Sequence, residues 1–184
     1  MNGSRRCAVV AATVLAAFAI LSGAGSVRAE IHDLETGAFQ ITKELVVPGS
    51  PETVFDAMTG DILPWWDHSF SQNPWKLTID PKPGGGFYEI FDESGDGVKH
   101  ADVIYAQRGK VLRLRGPFGF SGKAIDLVHD FQFTAEGEST RIRLVLNAVG
   151  QYEEGWKETI DAVWDHFLVE RFQAYMEAGG RTQK

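Results

Sequence analysis

Residues 155–178, GWKETIDAVWDHFLVERFQAYMEA, constrain the fold more than any other part of this 184-residue chain. At about 100° per residue, Trp156, Ile160, Val163, Trp164, Phe167, Leu168, Phe172 and Tyr175 fall within half of a helical circumference. Lys157, Glu158, Asp165, His166, Glu170 and Gln173 fall mainly on the other half. The pattern predicts one amphipathic helix with a wide aromatic face. Glu153 and Glu154 precede it, where the positive end of the helix dipole favours carboxylates, and Gly179-Gly180 follows it, where a left-handed cap favours a residue without a Cβ. At about six turns it is too long to cover a small helical neighbour, so it is expected to lie across a sheet.

The preceding sequence supplies the strands. In residues 39–47, Phe39, Ile41, Leu45 and Val47 alternate with Gln40, Thr42 and Glu44, the signature of a half-buried strand, and Lys43 interrupts its apolar set. Ser50-Pro51-Glu52 then gives an N-cap, a proline at the first helical position and an early carboxylate, predicting a short helix through Met58. Residues 62–66 read as a second brief helical turn with Pro64 inside it. Six further strand-like runs follow, at 75–79, 86–91, 99–107, 111–115, 125–134 and 139–149, separated by short Gly- and Pro-rich links that imply hairpins. Ile125, Leu127, His129, Phe131 and Phe133 share one face of a strand, and Ile142, Leu144, Leu146 and Ala148 share one face of the next. The face of the 86–91 run stays open, because Phe87, Glu89 and Phe91 compete with Tyr88 and Ile90.

The first 29 residues have the three-part pattern of a secretory signal: Arg5-Arg6, an apolar run over 8–21, and Val27-Arg28-Ala29. The run is about 14 residues, short of the ~20 needed to span a bilayer, so cleavage after Ala29 and no stable membrane anchor are expected. Residues 30–38 are expected to be a flexible leader and residues 39–178 a single domain. The lone Cys7 lies in the signal, which leaves the mature chain without disulfide or thiol chemistry. Without the three signal arginines, the 18 basic residues become 15 against 25 acidic ones, a net charge near −10 that excludes nucleic acid as a partner.

Four runs carry a resemblance: VPGSPETVFDAMTGDILPWW (47–66), PGGGFYEIFD (83–92), RLRGPFG (113–119) and GW (155–156). Together with the element order they resemble the START-like (SRPBCC, Bet v 1-type) superfamily, in particular the branch named for the activator of Hsp90 ATPase. The resemblance implies an α+β helix-grip fold, in which a curved antiparallel sheet of about seven strands surrounds a long C-terminal helix, with two short helices after the first strand. It also implies a cavity between sheet and helix. Trp65 and Trp66 lie where members of the superfamily close one end of the pocket.

An apolar or amphipathic small molecule bound in that cavity is the expected partner, with no cofactor. Phe131, Leu144, Trp164 and Phe167 are the expected walls, and Trp65 and Trp66 either a lid or packing for the short helices. The five histidines show no metal-ligand spacing, so no metal is expected. An alternative is a cofactor-free cyclase, isomerase or hydrolase using His129 as acid-base; another is a filled core that serves a protein partner. Lys43 and Arg171 interrupt apolar patterns, and a buried cation requires a carboxylate, a route to water or an anionic ligand. They are therefore either structural or the receiving end for an acidic ligand.

Overall fold

The computed structural model describes residues 30–180; the signal-peptide expectation concerns residues outside that range. Eight antiparallel strands form one sheet: β1 (Thr36–Pro48), β2 (Gly60–Asp61), β3 (Lys76–Ile79), β4 (Gly86–Ile90), β5 (Gly97–Gln107), β6 (Val111–Gly116), β7 (Ile125–Glu136) and β8 (Ser139–Gln151). Their spatial order is β1-β8-β7-β6-β5-β4-β3-β2, a meander in which only β1 crosses over to pair with β8. The crossover uses α1 (Pro51–Met58), which starts where the sequence marks it: Ser50 Oγ accepts from the Thr53 N–H at 3.3 Å, and Pro51 occupies the first turn. The second expected short helix is a single turn. Trp65 and Trp66 both donate their N–H to the Ile62 carbonyl, and the chain then runs on without helical bonds.

One face of the sheet is buried along its length. Ile125, Leu127, His129, Phe131 and Phe133 of β7 and Ile142, Leu144, Leu146 and Ala148 of β8 all lie in the core, as their alternation requires. On β4 the inward residues are Phe87 and Glu89, and a bulge between Phe87 and Tyr88 shifts its register against β5. Gly116 ends β6 where an added Cβ would sit 2.6 Å from the His100 carbonyl oxygen, so only glycine lets the two strands approach there.

The C-terminal helix covers this face but is not one α-helix. It comprises α2 (Trp156–Asp165), a π-helical segment His166–Gln173 and α3 (Ala174–Glu177). Gly155, at φ 84°, starts it. Each π-type turn takes one more residue than an α-turn, so side chains beyond it are rotated back relative to α phasing. Met176 is consequently buried, and Tyr175, which an ideal α-helix would place in the aromatic stripe, is half-buried.

Candidate functional site

Where α2 and the start of the π segment face β4, β5 and β7, the two surfaces do not meet. A cavity of about 320 Å³ lies between them, lined by Trp66, His68, Ser69, Phe70, Phe87, His100, Phe118, Gly119, Phe120, Leu127, His129, Thr159, Ile160, Val163, Trp164 and Phe167. The walls are overwhelmingly aromatic and aliphatic. Trp66 stacks on Phe167 with ring centroids 3.8 Å apart, and Trp164 stands edge-on to Trp66 at 6.1 Å and to Phe131 at 5.6 Å.

Of the expected walls, Trp164 and Phe167 line this cavity, as do Trp66, expected as a lid or as packing, and His129, the acid-base candidate. Trp65 and Phe131 instead border a void of about 10 Å³ beneath it, too small for a ligand. Trp65 acts as packing: its indole N–H donates to the Ala57 carbonyl at 3.1 Å and its ring meets Phe172 at 4.9 Å. Leu144 is fully buried and away from the lining.

The two cations have carboxylate partners and do not line the cavity. Lys43 points inward from β1, and its Nζ lies 2.6 Å from Asp161 Oδ1 and 2.7 Å from Asp165 Oδ1, one helical turn apart on α2. Burial pushes the ammonium pKa down, but the hydrogen bonds to these two aspartates outweigh it and leave it raised. Arg171 places Nε 3.2 Å from Asp67 Oδ2 and donates to the Trp65 carbonyl at 3.4 Å.

His129 is inward, as alternation requires, and 1 % exposed. Its ring lies among Phe118 at 3.9 Å, Trp164 at 4.9 Å and Phe131 at 6.4 Å. Nδ1 is buried with no hydrogen-bond partner among the described residues, and burial lowers the pKa to about 3, so the imidazole is neutral at physiological pH. The other two lining imidazoles are engaged. His68 Nδ1 lies 2.8 Å from Asp67 Oδ1, while His100 approaches Glu89 Oε2 through Nε2 at 3.2 Å and the Phe118 carbonyl through Nδ1 at 3.4 Å.

A ring-lined cavity, a sheet curved over a broken C-terminal helix and a single crossover at α1 define the architecture. This is the Aha1-like helix-grip fold. The Aha1 dimer from Colwellia psychrerythraea superposes with a TM-score of 0.51 at 18% identity, covering 78% of this chain and 99% of that one. An uncharacterised protein from Rhizobium leguminosarum gives 0.59 at 13% identity over 80% of this chain and 99% of its own. A protein of unknown function from Staphylococcus aureus gives 0.57 at 15% identity, over 79% and 98%. No family model and no curated protein sequence matches the chain. At these identities the likeness concerns the fold alone.

Within this Aha1-like frame, several site residues escape sequence reasoning. Glu89 is fully buried and its carboxylate accepts from the Phe70 N–H (2.9 Å), the Ser71 N–H (2.8 Å) and the Ser71 hydroxyl (2.8 Å), besides facing His100. Burial pushes its pKa up, and these hydrogen bonds outweigh it, leaving the carboxyl below its ordinary value. Glu89 thus ties the 66–71 segment, with its cavity-lining rings, to β4. Phe118 comes from the turn after β6 and holds φ at 50°, a strained value for a bulky side chain, which sets its ring over His129. The only sequence sign of it is an aromatic pair, Phe118 and Phe120, inside a Gly-Pro turn.

At the open side of the cavity, Asp67 gathers three cationic or titratable partners. His166 Nε2 lies 2.9 Å from its Oδ1, His68 shares the same oxygen, and Arg171 faces Oδ2. Burial pushes the Asp67 carboxyl up, and the bonds from His166 and His68 with the Arg171 charge outweigh it, so its pKa is lowered. The 66–70 segment is thereby fastened to the π segment across the cavity's edge.

Proposed function

We propose that this domain binds a small molecule with an apolar, ring-sized body and a neutral hydrogen-bonding group, and that it does so after export and removal of residues 1–29. The observation that carries the reading is an apolar cavity lined by the neutral imidazole of His129, whose buried Nδ1 has no hydrogen-bond partner among the described residues. A cavity of about 320 Å³ is at the small end of the ~300–1,000 Å³ range of ligand sites, which suits a compound of one or two rings. A hydroxyl or carbonyl entering it would satisfy the imidazole. A carboxylate would be desolvated with no cation in the lining, since Lys43 and Arg171 are held elsewhere by aspartates.

Catalysis by His129 has less support. A general base needs proton affinity near neutrality and an orienting partner, whereas this imidazole has a pKa of about 3 and its Nδ1 has no hydrogen-bond partner among the described residues.

The test is a titration with naphthalene, 2-naphthol and 2-naphthoate, followed by quenching of tryptophan fluorescence. The hydroxyl compound should bind about 2–10-fold more tightly than the hydrocarbon, the value of one net hydrogen bond, and the acid should bind most weakly. In His129→Leu the advantage of the hydroxyl should disappear. Tightest binding by the acid, or an unchanged ranking in the variant, would count against the proposal.

A further inference from the structure

We propose that Asp67, His68 and His166 form a binding site for a divalent first-row transition metal at the edge of the cavity, with Glu170 as its positioning residue. The three side chains each present one ligand atom, and these atoms lie within 4.8 Å of one another. Two imidazoles and a carboxylate are a donor set that suits zinc and its neighbours. Oδ1 of Asp67 is 2.8 Å from His68 Nδ1 and 2.9 Å from His166 Nε2, so small side-chain movements bring all three atoms to the ~2.0–2.2 Å radius of a metal ion.

The surroundings supply a second, independent observation. His166 Nδ1 lies 2.8 Å from Glu170 Oε2, one helical turn on, which fixes the ring with Nε2 directed at Asp67. A carboxylate on the far nitrogen is the usual support of a metal-binding histidine, orienting the ring and raising its basicity. Arg171 holds the other Asp67 oxygen at 3.2 Å and thereby orients the carboxylate, at the cost of one positive charge nearby. Asp67 and Glu170 bring two carboxylates to the cluster against the single guanidinium of Arg171.

The frame beneath is rigid. Trp66 stacks on Phe167 at 3.8 Å with their planes 17° apart, and these two residues immediately precede Asp67 and follow His166. The same stack that closes the cavity wall therefore sets the spacing of the ligands. A bound ion would staple the 66–70 segment to the C-terminal helix, and three protein ligands leave a coordination position open to solvent or to a donor atom at the cavity edge. His166 lies 99 residues after Asp67 and 98 after His68, which is why no spacing motif announces the three ligands.

The site stands whether or not the cavity holds a small molecule, and its test uses zinc alone. Isothermal titration of the purified protein with zinc chloride should give one ion per chain, with the affinity at least tenfold weaker in His68→Ala and in His166→Ala. Both side chains are outside the core, and circular dichroism checks that each variant folds. Glu170→Gln should retain one ion per chain with affinity lowered about 10–100-fold and an unchanged metal-free melting temperature. The proposal is overturned by the absence of saturable one-to-one binding, or by binding that loses less than tenfold affinity in either histidine variant. The same holds for Glu170→Gln and the positioning role if its affinity equals that of wild type.

Discussion

Replacing His129 by leucine should make the protein more stable, and increasingly so as the pH falls. The imidazole is 1 % exposed, makes no hydrogen bond among the described residues and is enclosed by Phe118, Phe131 and Trp164. Burying an unpaired polar group costs about 1–3 kcal/mol, whereas leucine, of similar volume, would gain from burial and has the neighbouring cavity to accommodate its extra bulk. A gain of about 1–2 kcal/mol is expected near pH 7.5, or roughly 3–6 °C in melting temperature for a domain of this size. The pH dependence follows from linkage. His129 has a folded pKa of about 3 against an ordinary 6.5, so between those values the unfolded chain binds a proton that the native state does not, and stability is lost as the pH falls. From pH 7.5 to pH 5.0 wild type should lose about 2 kcal/mol that His129→Leu keeps. Glu89 also weakens the fold in acid, but it does so equally in both proteins and cancels in the comparison. Urea unfolding at a series of pH values measures the difference. A variant less stable than wild type, or a gap that stays constant from pH 7.5 to 5.0, would refute the reasoning.

Glu89→Gln should cost about 3 kcal/mol, because an amide offers one acceptor oxygen where the carboxylate serves several donors, and the amides of Phe70 and Ser71 should then exchange hydrogen faster. The folded pKa of Glu89 is depressed, so its contribution is complete above the unfolded value near ~4.3 and is lost as the pH falls through the folded one. Lys43→Met should cost about 1 kcal/mol, modest because Asp161 and Asp165 are half-exposed and screened, and should leave the ranking of the naphthalene ligands unchanged. Amino-terminal sequencing of the protein recovered from the cell envelope should read from Glu30; an intact Met1 would contradict the export proposal.

Much of the scaffold was legible because its signals are periodic. The inward sets of β7 and β8 alternate without interruption, and the α1 cap is written in Ser50-Pro51-Glu52. The C-terminal helix was legible as amphipathic but not in its phase, since no residue type marks the extra residue of a π turn, and Met176 was therefore missed. The inward face of β4 was ambiguous because both candidate sets are largely apolar; burial of Glu89 is settled by N–H donors from a segment 18 and 19 residues away. Trp164, Phe167 and His129 were readable as inward residues from helix and strand periodicity, and Trp66 as a pocket residue from the family resemblance. Phe118, set by a turn, was not. Lys43 and Arg171 stood out correctly as cations in apolar patterns, but their aspartate partners are defined by the packing of the C-terminal helix against β1 and against the 65–67 segment.

Native mass spectrometry of the protein purified without denaturant, before and after incubation with 2-naphthol, tests ligand binding in the cavity most directly, with Val163→Trp as the comparison because Val163 lines the cavity and the larger ring would fill it. The expected result is a single small-molecule adduct on wild type, either carried through purification or formed by 2-naphthol, and no adduct on the folded variant. Wild type that takes up no adduct at millimolar 2-naphthol, or a Val163→Trp variant that binds as wild type does, would contradict it.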